Sequence, residues 1–473
     1  MRRRDGFMHI GGADRLAAES SFRLDLPMKR QRGQSDHRPR EVFVAIDFNP
    51  FVDLKGPDLT HLYRDLRDHA PVHWSPEAEV FTVSRHADVL AVMKDSETFS
   101  SDAMKTILNS ALLVPLTPRY LMKLLSFIFK VRLNPWALMN AGNLISIDGQ
   151  RHTDLRNVVG RGFTPRRIAD WQPRLEAIAE EQVAKIRKSE HFDVVADLAI
   201  PLPTTAIAEM LGVETERRND FRRWSGSIID MASGAAKENV LESGVLDDIS
   251  ELFLFMREVI RDRRKTPRDD LISLLVDPKQ KDVLGELDVI QFVLLLLVAG
   301  NETTTNLIGN AANALLDHPS QLDRVIDDPS LIPKVIEETL RFEPPLTVGF
   351  RNTTRDVEIG GVSIPKGRNV AFLIGSANRD ERRFEEPDRF DIERDASGHV
   401  GFGFGAHFCL GSSFARLQAR TALTALIPEL RNVRRTGPPS SFIDSFLVRG
   451  RQSLELRRGS GSVRSPAPFP SRL

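Results

Sequence analysis

The sequence contains a single cysteine, Cys409, and this scarcity excludes two chemistries at once. No intrachain disulfide can form, so nothing points to an oxidising compartment, and a zinc cage built from several thiolates is ruled out. Net charge is lacking as well: 65 Lys and Arg balance 65 Asp and Glu, which favours neither a nucleic-acid binder nor an acidic tail. The most apolar run, Val289 to Gly300, falls short of the roughly 20 residues that cross a bilayer and reads as a buried helix. Three arginines, Arg2 to Arg4, open the chain without an apolar run behind them, so no secretory signal is read. There are no internal repeats. The expected location is the cytoplasm.

What remains is a chain of 473 residues, 41 % hydrophobic and 27 % charged, a composition suited to a globular protein large enough to enclose a cavity. Residues 1–42 show no apolar period and are expected to be a disordered extension. The segment 459–473 is rich in Ser, Pro and Arg and is expected to be a disordered tail. Between them, 43–458 reads as one domain, mainly α with a small β part. A hairpin is expected over Val72–Trp74 and Val80–Val83, with its turn at Pro76–Glu77. Helical spacing marks 86–94, 152–159, 166–189, 193–211, 214–232, 244–264, 268–276, 286–317, 319–327, 330–342 and 411–427. Residues 346–375 are strand-like and 377–400 irregular. Residues 104–138 are unusually apolar, with Pro115, Pro118 and Pro135 as breakers.

Glycines and aromatics alternate in Phe402-Gly403-Phe404-Gly405-Ala406-His407-Phe408-Cys409-Leu410-Gly411, and a helix follows. A thiol at a helix N-terminus meets unpaired N–H groups, which should lower its pKa and ready it as a thiolate ligand. Gly405 and Gly411 would let the backbone turn tightly against a flat partner. A lone cysteine without this context would instead read as a small buried hydrophobe.

Three further clusters are ambiguous by themselves. Glu338 and Arg341 lie three apart on a helix, a spacing that alone signifies only a surface ion pair. Ala299-Gly300-Asn301-Glu302-Thr303-Thr304 interrupts the longest helix with poor helix formers, as either a polar face or a functional kink. His152 and Arg156 share one helix face, which could simply be solvated.

Taken together, these segments resemble the cytochrome P450 family from about Phe43 to Arg457, and the cysteine loop matches its haem-binding signature at Phe402, Gly405, His407, Cys409 and Gly411. The resemblance implies that family's fold, with haem b (iron protoporphyrin IX) buried between two long helices. Cys409 would be the iron ligand, and Phe402 and Gly411 would help bind the cofactor. His152, Arg156, Arg351 and His407 would hold the haem propionates. Glu302 and Thr303 would steer protons, and Asn301 would alter that route locally. Glu338, Arg341 and Arg389 would form a structural ion-pair core. Leu295, Val298, Ala299, Leu346, Thr347, Leu447 and Val448 would wall an apolar substrate pocket; the 104–138 region would cover it, touch a membrane, or simply pack on the outside of the core. The implied activity is a monooxygenase that inserts one atom of dioxygen into an apolar small molecule. Electrons would come from a ferredoxin and its reductase, docked near Arg161, Arg166, Arg167, Arg416 and Arg420. The alternatives are a peroxygenase or isomerase on the same haem fold, or a non-enzymatic haem-binding protein.

Overall fold

The break at Pro76–Glu77 produces the expected hairpin: β1 (Val72–Ser75) pairs antiparallel with β2 (Val80–Val83). The computed structural model describes residues 46–103, 118–132, 143–214, 217–233, 244–280, 283–437 and 441–459. The expected extension 1–42, the tail beyond Gly459 and much of the apolar insert lie outside these. The hairpin joins a five-stranded sheet of order β1-β2-β8-β5-β3, with β3 at Phe99–Ser100, β5 at Val348–Thr353 and β8 at Asn369–Leu373. Residues β4 (His191–Asp193), β9 (Val433–Arg435) and β10 (Glu455–Arg458) form a three-stranded sheet, and β6 (Val357–Ile359) and β7 (Val362–Ile364) form a third small one.

The longer helices are α1 (Thr60–His69), α2 (His86–Lys94), α3 (Pro118–Lys130), α4 (Gly149–Gly160), α5 (Gln172–Lys188), α6 (Pro201–Met210), α7 (Arg218–Ser233), α8 (Val245–Lys265), α9 (Glu286–Asp317), α10 (Pro319–Asp327), α11 (Ile332–Phe342) and α12 (Ser412–Leu426). Two expected helices are interrupted, and proline marks both breaks. The 166–189 stretch splits at Trp171, with Pro173 in the first turn of α5. The 193–211 stretch begins as a wide π turn over Val195–Ala199 before Pro201 opens α6. Proline has no N–H to donate into a preceding turn and is tolerated only at a helix start.

Helix α9 spans the residues expected of it and stops before Pro319. Its N-terminus is held by the Asp288 carboxylate, which accepts from Gly285 N–H at 2.8 Å. By length and composition it could cross a membrane. It packs instead against α6, α7, α8, α10, α11 and α12, as the central helix of the largest hydrophobic cluster.

The coil after β8 is tied to α11 by a buried charge pair. Glu338 and Arg341 are both fully buried. Arg341 donates Nε to Glu338 Oε2 and Nη2 to Oε1, each at 2.8 Å. Its remaining N–H groups reach the carbonyls of Asn378, Pro387 and Arg389. A buried guanidinium is tolerable only when its donors are all used in this way. The expected third arginine, Arg389, is not in this core. Its side chain is exposed and bonds Glu386 and Asp391, and only its backbone carbonyl reaches Arg341. Arg394 takes the place, half of a turn-rich coil further on, with Nε 3.3 Å from Glu338 Oε1 and a largely buried side chain. It also binds the carbonyls of Glu385 and Glu386.

The two arginines should therefore differ sharply in stability measurements. Arg394→Ala leaves Glu338 short of a buried partner and should cost about 2–4 kcal/mol in denaturant unfolding. Arg389→Ala removes an exposed pair and should stay within about 0.5 kcal/mol of the wild type. Equal costs would refute the reassignment.

Candidate active site around Cys409

Three elements build the cysteine loop: the C-terminal end of α11, the coil 377–400 and the start of α12. The Asn378 side chain receives Val400 N–H at 2.7 Å and donates to the Leu340 carbonyl at 3.0 Å, fixing where the loop leaves α11. Gly401 passes so close that a Cβ would sit 2.7 Å from the Leu340 carbonyl oxygen. Gly403 and Gly405 both have φ of +72°, and a Cβ on Gly405 would stand 2.8 Å from the Met93 carbonyl of α2. Only glycine meets both demands there. Gly411 has φ −85°, a backbone conformation open to any residue. Cys409 N–H donates to the Phe402 carbonyl at 2.9 Å, closing the loop just before α12.

A charged clamp grips the loop from behind. Gly401 N–H donates to His399 Nδ1 at 3.1 Å, so Nε2 carries the proton and donates to Glu337 at 3.0 Å. Arg416 of α12 binds both oxygens of Glu337, at 2.6 and 2.9 Å, and lies 4.5 Å over the Phe402 ring. Burial alone would raise the Glu337 pKa, but hydrogen bonds from Arg416 and His399 outweigh it and bring it down to about 2. Arg416 is thus tied to the loop while its side chain remains about a third exposed. Arg161, Arg166, Arg167 and Arg420 are exposed.

The four residues expected to bind an anion converge from α4, β5 and the loop. The rings of His152 and His407 lie 4.2 Å apart. His407 Nε2 sits 3.0 Å from Asp148 Oδ1 and 2.9 Å from Ser101 Oγ. The Asp148 carboxylate also accepts from Ser100 Oγ and Ser101 N–H. Burial opposes its charge, yet these bonds hold its pKa well below the usual carboxylate range. His152 is pushed down to about 4, first by burial and then by His407 and Arg156, and its buried Nε2 has no partner among the described residues. Arg156 donates to the Phe408 carbonyl at 2.5 Å. Arg351 is buried, lies over the Phe372 ring, and donates to the Phe350 carbonyl at 2.9 Å. Among the described residues no carboxylate forms an ion pair with Arg156 or Arg351, and burial lowers the pKa of both. Buried cations without anions are costly. This cluster therefore fits the two carboxylates of the haem that the sequence implies.

Burial pushes the Cys409 thiol up, while the Gly411 N–H, Arg156 and Arg416 pull the other way. A directly bound metal cation would favour the thiolate.

On α9, Ala299 is exposed between the buried Leu297 and the buried Asn301, as expected of a helix bordering a cavity. Thr303 Oγ1 donates to the Ala299 carbonyl one turn back, and Glu302 is half-buried beside it. Asn301 is buried with neither amide atom bonded. Leu295 and Val298 pack at the edge of the α9 cluster, Leu346 beside the sheet cluster, and Leu447 on a third cluster with Phe350. Leu346 bridges to Val448. Thr347 is not part of this apolar wall. Its hydroxyl donates to the Phe446 carbonyl, and it lines a polar cavity of about 70 Å³ with Tyr63, Arg379 and Arg449.

Asp148, Ser101, Glu337, His399, Asn378 and Arg394 were all missed by sequence reasoning. For His399 and Glu337 a signal existed, since each adjoins a recognised motif. Asp148 likewise directly precedes the helix that carries His152.

A family model described as Cytochrome P450 matches residues 136–456. Cytochrome P450 107B1 of Saccharopolyspora erythraea is 41 % identical over 322 residues, covering 67 % of this chain and 78 % of that protein. Cyclomarin C epoxidase CymV of Salinispora arenicola is 36 % identical over 409 residues, covering 86 % and 98 %. The crystal structure of CYP109E1 from Bacillus megaterium in complex with testosterone superposes with a TM-score of 0.73 at 30 % identity, covering 85 % of this chain and 99 % of that one.

The clamp predicts an acid limit. Because the Glu337 pKa is depressed in the folded state, from 4.5 to about 2, its contribution to stability is full above 4.5 and fades as pH falls toward 2. Unfolding midpoints followed between these pH values should drop for the wild type, and this part of the slope should vanish in Glu337→Gln. An identical pH slope in the variant would exclude the clamp as its source.

Proposed function

The chain belongs to the cytochrome P450 family, and on that premise we propose that Cys409 is the proximal thiolate of haem b, with Arg156, Arg351, His152 and His407 gripping the propionates. The protein has the P450 fold and is a haem-thiolate monooxygenase, an oxidoreductase dependent on dioxygen and a redox partner. The observation that carries the residue assignment is the convergence of half-buried Arg156 and buried Arg351, neither ion-paired to a carboxylate among the described residues, with the His152–His407 pair beside the Cys409 loop.

Haem bound there would supply the iron chemistry for activating dioxygen with two electrons and two protons, one oxygen atom going to substrate and the other to water. Cys409 would hold that iron through its thiolate, whose electron density would favour O–O cleavage. The loop glycines and the Glu337 clamp hold that sulfur in place. The Thr303 hydroxyl, now turned to the Ala299 carbonyl, is placed to hold a water beside exposed Ala299. Glu302 would pass a proton along it, as a general acid. Leu295, Val298 and Leu346 would exclude bulk water and receive an apolar substrate.

The substrate reading is a greasy molecule such as a terpenoid, steroid or fatty-acid derivative, to be hydroxylated or epoxidised. It is supported by the apolar side chains around Ala299, by a relative named as the epoxidase of cyclomarin C, and by a structural neighbour bound to testosterone. For the electron donor we favour a ferredoxin with its reductase, docking on exposed Arg161, Arg166, Arg167 and Arg420. A cytoplasmic location accords with the absence of disulfide pairing.

The deciding experiment is the reduced carbon-monoxide spectrum. Wild-type holoprotein should show the red-shifted Soret band of thiolate ligation, and Cys409→Ser should lose it; a band unchanged in the variant rules out Cys409.

Thr303→Ala should keep haem and substrate binding while diverting electrons to hydrogen peroxide. Glu302→Gln should slow turnover on the order of 100-fold. Fully coupled product formation in Thr303→Ala would remove that residue from the proton route.

A further inference from the structure

The molecule balances its charges overall, but one stretch does not. Between Asp102 and Asp148 there is no acidic residue, while Lys105, Arg119, Lys123, Lys130 and Arg132 all fall within it. Helix α3 (Pro118–Lys130) lies in this stretch, and its two faces are unlike. The inner face is used: Phe127 meets Phe253 of α8 edge-on, with ring centroids 6.1 Å apart, and Val131 just beyond the helix is fully buried. The Val131 carbonyl accepts from Arg257.

The outer face shows the reverse. Met122, Leu125 and Phe129 are 69 %, 56 % and 86 % exposed. Their spacing of three and then four residues places them in one stripe. Ile145, at the far end of the same acid-free stretch, is exposed as well. At the end of the helix Lys130 lies 3.6 Å from Asp247 at the start of α8, and Glu251 of the same helix also feels its charge.

We propose that this outer face of α3 rests on an anionic lipid bilayer, making the enzyme a peripheral membrane protein. Three large apolar side chains flanked by Lys and Arg, with no carboxylate in the segment, match an interfacial helix that buries its apolar stripe among acyl chains while its cations meet phosphate headgroups. An acidic protein partner would account for the cations but not for a phenylalanine left 86 % exposed. Helix α3 packs on α8, which in turn packs on α9.

The test is sedimentation of the full-length holoprotein with vesicles of phosphatidylglycerol and phosphatidylcholine, and with vesicles of phosphatidylcholine alone. The protein should pellet with the anionic vesicles, less so as salt is raised. Met122→Ser with Leu125→Gln and Phe129→Ser should weaken that partition on the order of tenfold or more, with the carbon-monoxide spectrum unchanged. Phe129→Leu, which keeps the stripe apolar, should retain binding. No pelleting with anionic vesicles, equal binding to neutral ones, or indifference to the triple substitution would each overturn the proposal. So would a dimer, or capture of an acidic ferredoxin, that the same substitutions abolish while vesicle binding is absent.

Discussion

The buried pairing of Glu338 with Arg341 is the constraint on which the rest of the site depends. Two charges removed from water leave the fold little choice: every donor of Arg341 must find an acceptor, and the acceptors available are carbonyls of the coil after β8. Meeting that demand fixes the path of a segment with no regular hydrogen-bond ladder of its own. Asn378 then transmits the position to Val400, and Val400 opens the cysteine loop. A stretch that lacks secondary structure is thereby held as firmly as a helix.

The loop inherits this rigidity and adds a second requirement, because its backbone runs against Leu340 and Met93 too closely for any Cβ. The Glu337, His399 and Arg416 clamp completes the support from the α12 side. These groups hold the sulfur, while burial pushes its pKa up. Arg351 and Arg156 are also desolvated and form no ion pair with a carboxylate among the described residues. One ligand bearing a metal cation and two carboxylates would offset these costs together.

The opposite side of the molecule follows another rule. The apolar side chains expected to wall the substrate pocket belong to three separate clusters, so their packing does not force a single pocket shape. The acid-free stretch carrying α3 is attached through Phe127 and the Val131 carbonyl, while its other face is left to its surroundings. Cofactor chemistry is fixed by buried polar bonds, and substrate access is left to apolar surfaces that can vary.

Much of this was legible in the sequence wherever the cause is local. The span of α9 follows from its apolar period and from Pro319, and the hairpin from a turn between two β-rich runs. The cysteine loop declared itself through alternating glycines and aromatics, which constrain only their immediate neighbours. What the tertiary structure decided involves partners distant along the chain. His407 meets Asp148 across 259 residues, and Glu338 meets Arg394 across 56. No spacing rule distinguishes Arg394 from Arg389 when both sit in irregular coil, because without a helical or strand period nothing local says which side chain turns inward. Thr347 facing a polar cavity, and Phe129 facing outward while Phe127 packs inward, were settled the same way: by which neighbouring element came to lie against them.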